Sequence, residues 1–236
     1  MERNIHRGVV TLLLLASVGF GACANAATPL LTAADEAQLT SWLGEGSIKL
    51  TNIYTKTAGD TSASFHAAAD GKGRTFAVMQ ASNAAGETWL VGGYNPQSWS
   101  TTGSFNITDP QSARTGFLFN LTNGTKHAQV STSYVIPSMG SYQTLNDINY
   151  GPAFGAGNDL AVTGDMTHGL SLMYSYMDES GNNFYRSLLD NSIYETPNVT
   201  FGAIEIYTIS SVPEPTGAAM LLAGMAGLAL LRRRLS

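Results

Sequence analysis

A mainly β protein with a minor α component is what this sequence predicts: a two-sheet antiparallel β-sandwich carrying two or three short helices. Three observations predict it. Short apolar stretches with alternating or buried patterning recur between turn signals. Glycine is abundant (25) while charged residues make up 12% of the chain, so Asn, Ser and Thr fill the polar positions. Helical periodicity is confined to a few short segments.

Taken in order, the first element is a helix. Thr32 precedes Ala33-Ala34-Asp35-Glu36, then Leu39, Trp42, Leu43 and Gly44. Thr32 is a suitable N-cap, the acids fall in the first turn, and glycine stops the helix. Leu39, Trp42 and Leu43 are three and four apart and share one face. Ile48 to Tyr54 is a strand. Asp60 or Thr61 caps a short helix through Ser62 to His66, and Asp70-Gly71-Lys72-Gly73 makes a tight turn. Thr75 to Met79 is a strand whose hairpin partner, Thr88 to Val91, follows the loop Asn83 to Gly86. Gly92-Gly93 marks a bulge or a close backbone approach. Gly116 to Leu121 is a strand, Asn123-Gly124 is the favoured two-residue hairpin turn, and Lys126 to Val130 returns from it. Leu160 to Val162 and Leu170 to Tyr174 are weaker strand signals. Ile204 to Ile209 alternates strongly and forms the final strand.

The two ends carry addresses. Arg3, His6 and Arg7 precede an apolar stretch from Val9 to Phe20, and Ala24-Asn25-Ala26 supplies small residues for signal peptidase. Residues 1–26 are therefore predicted to be a signal peptide cleaved after Ala26, which removes Cys23, the single cysteine. Residues 27–211 form one domain, long enough to bury most of its apolar surface without disulfides. Residues 212–236 hold Pro213-Glu214-Pro215, an apolar run from Thr216 to Leu231, and Arg232-Arg233-Arg234. The run is near the lower limit for spanning hydrocarbon, and the arginines are expected to stay cytoplasmic. This three-part order resembles the PEP-CTERM sorting signal of Gram-negative bacteria. The resemblance implies processing by the membrane enzyme exosortase, transient anchoring in the inner membrane, and association with exopolysaccharide. A plain C-terminal anchor is the alternative.

Charge and cysteine content exclude several classes. Residues 27–212 carry seven basic and fifteen acidic side chains, a net of −8. Such a surface repels phosphate backbones, so no nucleic-acid partner is expected. Without cysteine the processed domain has no thiolate nucleophile and no cysteine zinc site. No cofactor and no metal is predicted.

Five segments together resemble the TLDc domain. They are Ser64 to Thr75 (SFHAAADGKGRT), Gly92-Gly93-Tyr94 with Trp99, Phe117 to Leu121, Tyr150 to Leu160, and Ile204 to Tyr207. Their order and spacing match across about residues 31–210. The resemblance implies a two-sheet β-sandwich with a few helices and carries no settled catalytic mechanism. Eukaryotic relatives are associated with oxidation resistance and with binding the vacuolar proton pump. Where much of the family has a cysteine, this chain has Ala69, which removes cysteine-based antioxidant chemistry. A proton-pump role fits poorly with a domain that faces outward.

The candidate ligand-binding residues are His66, Asp70, Lys72 and Trp99. His66 and Asp70, four apart, have the chemistry of a general-base dyad, or of a ligand site shared with Lys72. The plainer expectation, favoured here, is a buried hydrogen-bonding histidine beside a turn-forming aspartate. Trp89, Tyr94, Trp99 and Phe105 suit sugar stacking, though half or more belong in the core. Gly155 to Asp159 offers oxygens to calcium but lacks alternating acids, so a turn is favoured. Neither a Gly-X-Ser-X-Gly elbow nor a His-Glu-X-X-His helix is present, and no catalytic residue is assigned. The expectation is an exported, non-enzymatic surface or matrix module that binds exopolysaccharide or an envelope protein. The alternatives are an extracellular hydrolase of polysaccharide or peptidoglycan, and a purely structural matrix component.

Overall fold

The computed structural model describes residues 28–130, 139–156, 158–177, 185–193 and 199–212. The predicted signal segment, the Pro213-Glu214-Pro215 motif and the Arg232-Arg233-Arg234 end lie outside the described residues. Among the described residues, no helix is long and apolar enough to cross a membrane.

The chain begins with helix α1 (Ala33–Leu43), strand β1 (Ile48–Thr55) and helix α2 (Ser62–Ala69). Strands β2 (Thr75–Ser82), β3 (Thr88–Asn95), β4 (Ser104–Ile107), β5 (Phe117–Asn120) and β6 (Thr125–Gln129) follow. The remainder is β7 (Tyr142–Asn146), β8 (Tyr150–Phe154), β9 (Leu160–Thr163), β10 (His168–Leu170), β11 (Tyr176–Met177) and β12 (Val199–Ser211). α1 starts as predicted. The Thr32 hydroxyl accepts from the Asp35 N–H, the Asp35 carboxylate accepts from the Thr32 N–H, and Gly44 closes the helix at φ 73°.

All the strand pairings are antiparallel and form one ladder, in the order β11-β6-β5-β3-β2-β12-β10-β9-β8-β7-β4, with β1 also on β12. The ladder folds over on itself. Strands β3 and β8 are five steps apart, which is roughly 24 Å in a flat sheet. Yet a Cβ built on Gly93 of β3 would lie 2.6 Å from the Phe154 ring of β8. The Tyr176 hydroxyl of β11 likewise donates to the Gln143 carbonyl of β7 at 2.7 Å. The result is the predicted sandwich, with leaves that share a strand where two separate sheets were expected.

That strand is β12. Its first residues pair with β10 and its later ones, Glu205 to Ser211, with β1, while β2 runs along its other edge. The register shifts between Phe201 and Ile204, where the strand passes from one leaf to the other. Lys56 clasps this point. Its Nζ donates to the carbonyls of Phe201 (2.8 Å) and Gly202 (3.1 Å) and to the Thr167 hydroxyl (3.4 Å).

Between the leaves lie Phe65, Met79, Trp99, Leu118, Phe154, Leu160, Phe201, Ile204 and Ile206. The outer face of the leaf containing β2, β3 and β5, called leaf one, presents Phe76, Val78, Phe117, Phe119, Tyr207 and Ile209 to α1 and Leu31. Because both faces of leaf one are covered, β2 shows an almost continuous buried run.

One local expectation is resolved between its two alternatives, and two are corrected. Gly92-Gly93 forms no bulge, since β2 and β3 pair without interruption from Thr75↔Asn95 to Ser82↔Thr88. It is the close approach instead: a Cβ at Gly92 would sit 2.0 Å from the Ala77 carbonyl oxygen. The β5–β6 loop spans residues 121–124, because Asn120 pairs with Thr125 and its side chain accepts from the Asn123 N–H. The strand placed at Leu170 to Tyr174 is His168–Leu170, since the N–H of Tyr174 turns out of the ladder to the Asp159 carboxylate.

Gly93→Ala is expected to destabilise the domain by about 1–3 kcal/mol through overpacking against Phe154. The measurement is a urea unfolding curve, with the midpoint lowered and the slope unchanged.

Candidate functional site

Helix α2 positions the predicted pair. Thr61 is extended at its N-terminus, and Asp70 leaves the helix at its C-terminus with φ −64° and ψ 136°. Gly71 (φ 69°) and Gly73 (φ 78°) then take the left-handed conformations that the tight turn requires. One helical turn separates His66 from Asp70, so the two side chains meet. His66 Nδ1 lies 2.7 Å from Asp70 Oδ1. His66 Nε2 lies 3.1 Å from the carbonyl oxygens of both Asp147 and Tyr150.

This geometry decides the chemistry. Both ring nitrogens face oxygens of the protein itself. As an imidazolium the ring donates at both; as a neutral imidazole it donates at one only. Neither nitrogen presents a lone pair to a substrate proton. The His66 side chain is 3% exposed, against 29% for Asp70. The pair therefore acts as a clamp tying the end of α2 to the turn before β8, which fits the plainer of the two expectations.

Lys72 and Trp99 line none of the concavities described below. Lys72 is exposed on the turn, and among the described residues it enters no ion pair. Trp99 is 0% exposed and offers no face for ligand stacking. Its ring lies 5.4 Å from both Phe65 and Phe154, and its Nε1–H donates to the Thr75 hydroxyl at 2.9 Å. Its carbonyl accepts from the Gly71 N–H, so the glycine turn is fastened to the core by the same residue. Tyr94 is buried too, while Trp89 and Phe105 are half-buried.

The Gly155 to Asp159 turn uses its carboxylate internally. Asp159 Oδ2 accepts from the N–H groups of Tyr174 (2.6 Å), Ser175 (2.6 Å) and Tyr176 (2.8 Å). Among the described residues, no cluster of three or more His, Cys, Asp or Glu forms a metal site.

Three concavities among the described residues are lined by other groups than the predicted site residues. One, of about 510 Å³, sits at the passage between the leaves and includes Lys56, Asp60, Asp165 and Thr167. Sequence reasoning missed it because its halves lie more than a hundred residues apart along the chain. Asp165 accepts from the N–H groups of His168 and Thr167 and from the Thr163 hydroxyl, and pairs with His168 Nδ1 at 2.5 Å. These bonds, the His168 N–H foremost, hold its carboxyl well below the usual carboxylate range. The Asp60 carboxyl is lowered too, chiefly by the Thr57 N–H. Burial pulls the Lys56 ammonium down, and the Asp165 and Asp60 charges oppose that.

A family model described as the TLDc domain matches residues 25–210. No curated protein matches the chain.

Two outcomes follow from this geometry. His66→Ala is expected to destabilise the domain by about 2 kcal/mol, by leaving buried acceptors unpaired, as read from the urea midpoint. The depressed carboxyls of Asp165 and Asp60 stabilise the fold above their unfolded value of about 4, and that contribution is lost as pH falls below it. The urea midpoint should therefore drop on acidification from pH about 4 towards 2, and Asp165→Asn should flatten the drop.

Proposed function

The chain belongs to the TLDc-domain family, and from that premise we propose that it is a non-enzymatic binding module exported to the outside of a Gram-negative cell. One observation carries the reading: the chemistry-bearing pair of the family-like motif, His66 and Asp70, is committed to internal hydrogen bonds. A hydrolase using His66 as its base needs a free nitrogen facing a cleft, and both nitrogens already meet protein oxygens. What remains for function is surface recognition.

The address comes from the ends. Signal peptidase removes residues 1–26 at Ala24-Asn25-Ala26, and exosortase acts on the tail at Pro213-Glu214-Pro215. Until then the apolar run and Arg232-Arg233-Arg234 hold the chain in the inner membrane. The closing strand supports this division, since β12 ends at Ser211, two residues before the first proline of the motif. The partner is an exopolysaccharide or an envelope protein, met by a domain whose net charge argues against polyanions such as nucleic acid.

Intact-mass analysis of the protein released by its own cell is expected to give an N-terminus at Ala27 and a C-terminus trimmed near the Pro-Glu-Pro motif. A glycan array and an envelope pull-down should show retention without fragment release. Finding the unprocessed chain in the cytosol would remove the export reading. Sustained polysaccharide or peptidoglycan hydrolysis, lost in His66→Gln, would overturn the non-enzymatic one.

A further inference from the structure

Helix α1 is held differently from the sandwich it covers. The strands are tied by ladders. α1 buries one side chain completely, Leu39, with Trp42 and Leu43 half-buried, while Ala33, Ala34, Glu36, Ala37, Gln38 and Ser41 face solvent. A helix of 11 residues is marginal by itself in water, so α1 persists through what it touches. Beneath it lies the apolar outer face of leaf one, and Trp42 sits over Phe119 with ring centroids 6.3 Å apart.

Its polar ties are concentrated at its two ends. Where the chain enters, the Leu30 N–H donates to Glu205 Oε2 at 2.9 Å, and the Tyr207 hydroxyl donates to the same oxygen. Where the chain leaves, Arg74 pairs with Glu45, and Lys126 Nζ reaches the Trp42 carbonyl at 3.4 Å.

Glu205 is an unusual residue for that face. Along β12, Ile204 and Ile206 join the core between the leaves, while Tyr207 and Ile209 join the cluster under α1. Glu205, two residues before Tyr207, lies on the same side and is 4% exposed. A buried carboxylate gives up its hydration, a penalty that an aliphatic side chain at this position avoids. What compensates it is the hydroxyl of Tyr207 and one N–H from the segment leading into α1. With the segment closed, the carboxylate is dry and hydrogen-bonded; with the segment lifted, it is wet. The loss of apolar contact on lifting is thus partly offset by rehydration of Glu205, which narrows the gap between the two arrangements.

We propose that residues 28–43 form a detachable cover, clasped by Glu205 at Leu30, and that its opening uncovers the aromatic face of leaf one while the sandwich stays folded. This goes beyond the binding role above and stands or falls without any ligand.

Native-state hydrogen exchange on the processed protein tests it. The amides of Leu39 to Leu43 should exchange through an opening that leaves those of β2 and β12 protected. Leu30→Pro removes the donor while keeping the charge, and should speed α1 exchange by about tenfold to a hundredfold, the range for losing a hydrogen bond to a charged group. Leu39→Ala should do the same through packing alone, whereas Gly93→Ala, which strains the sandwich that stays folded in both arrangements, should speed β2 and β12 exchange and leave α1 exchange unchanged. If α1 amides exchange only together with those of β12, or if Gly93→Ala accelerates α1 in parallel with β2 and β12, the cover does not detach and the proposal fails.

Discussion

Strand β12 supplies hydrogen bonds to both leaves at once, and most of the architecture follows from that. A strand serving two leaves must change partners along its length, here from β10 to β1, and the register break between Phe201 and Ile204 is where it does so. The break frees carbonyls that the ladder cannot satisfy. Lys56 satisfies those of Phe201 and Gly202 while also reaching Thr167 in the other leaf. An ammonium suits the place because its three donors meet three acceptors. The fold-over then brings Phe154 onto Gly93, a contact that only a residue without Cβ permits.

The same logic explains the polar residues in the interior. Several segments among the described residues run outside regular strands, and their backbone groups need partners once water is excluded. Asp159 gathers three consecutive N–H groups, Asn120 donates to the carbonyls of Leu188 and Leu189, and His66 meets those of Asp147 and Tyr150. Each side chain looks like chemistry in the sequence and is internal scaffolding in the structure. A motif such as Phe-His followed by Asp-Gly-Lys-Gly is thereby explained without a substrate: it fastens α2, the glycine turn and the β8 turn around Trp99.

How much of this was legible beforehand depends on the range of each interaction. α1 was legible in full, because its cap, its acidic first turn, its apolar face and its closing glycine are all local. Strands β1, β2, β3, β5, β6, β9 and β12 carried enough apolar pattern to be placed. Strands β4, β7, β8 and β11 did not. β8 contains Gly151 and Pro152, residues that weaken a strand pattern, and β11 has two residues. At the candidate site, the His66–Asp70 contact follows from helical spacing, whereas the partners of Nε2 lie 81 and 84 residues away. Those distant carbonyls decide the role of the histidine, and no local pattern points to them. The Lys56 clasp joins residues 111 and 145 apart, and was invisible for the same reason.

The outer face of leaf one is set apart by a second apolar cluster. Leaf one is apolar on both faces, and helix α1 is what separates its outer face from water. Opening of the cover proposed above exposes that face, and a large exposed apolar patch marks an interaction surface in folded proteins. For the exported module proposed above, keeping such a face covered until it is needed preserves solubility. Placing a carboxylate beneath the cover, where an aliphatic residue would close it more tightly, has a physical consequence in one direction only. It weakens the closed arrangement relative to the open one without weakening the sandwich beneath.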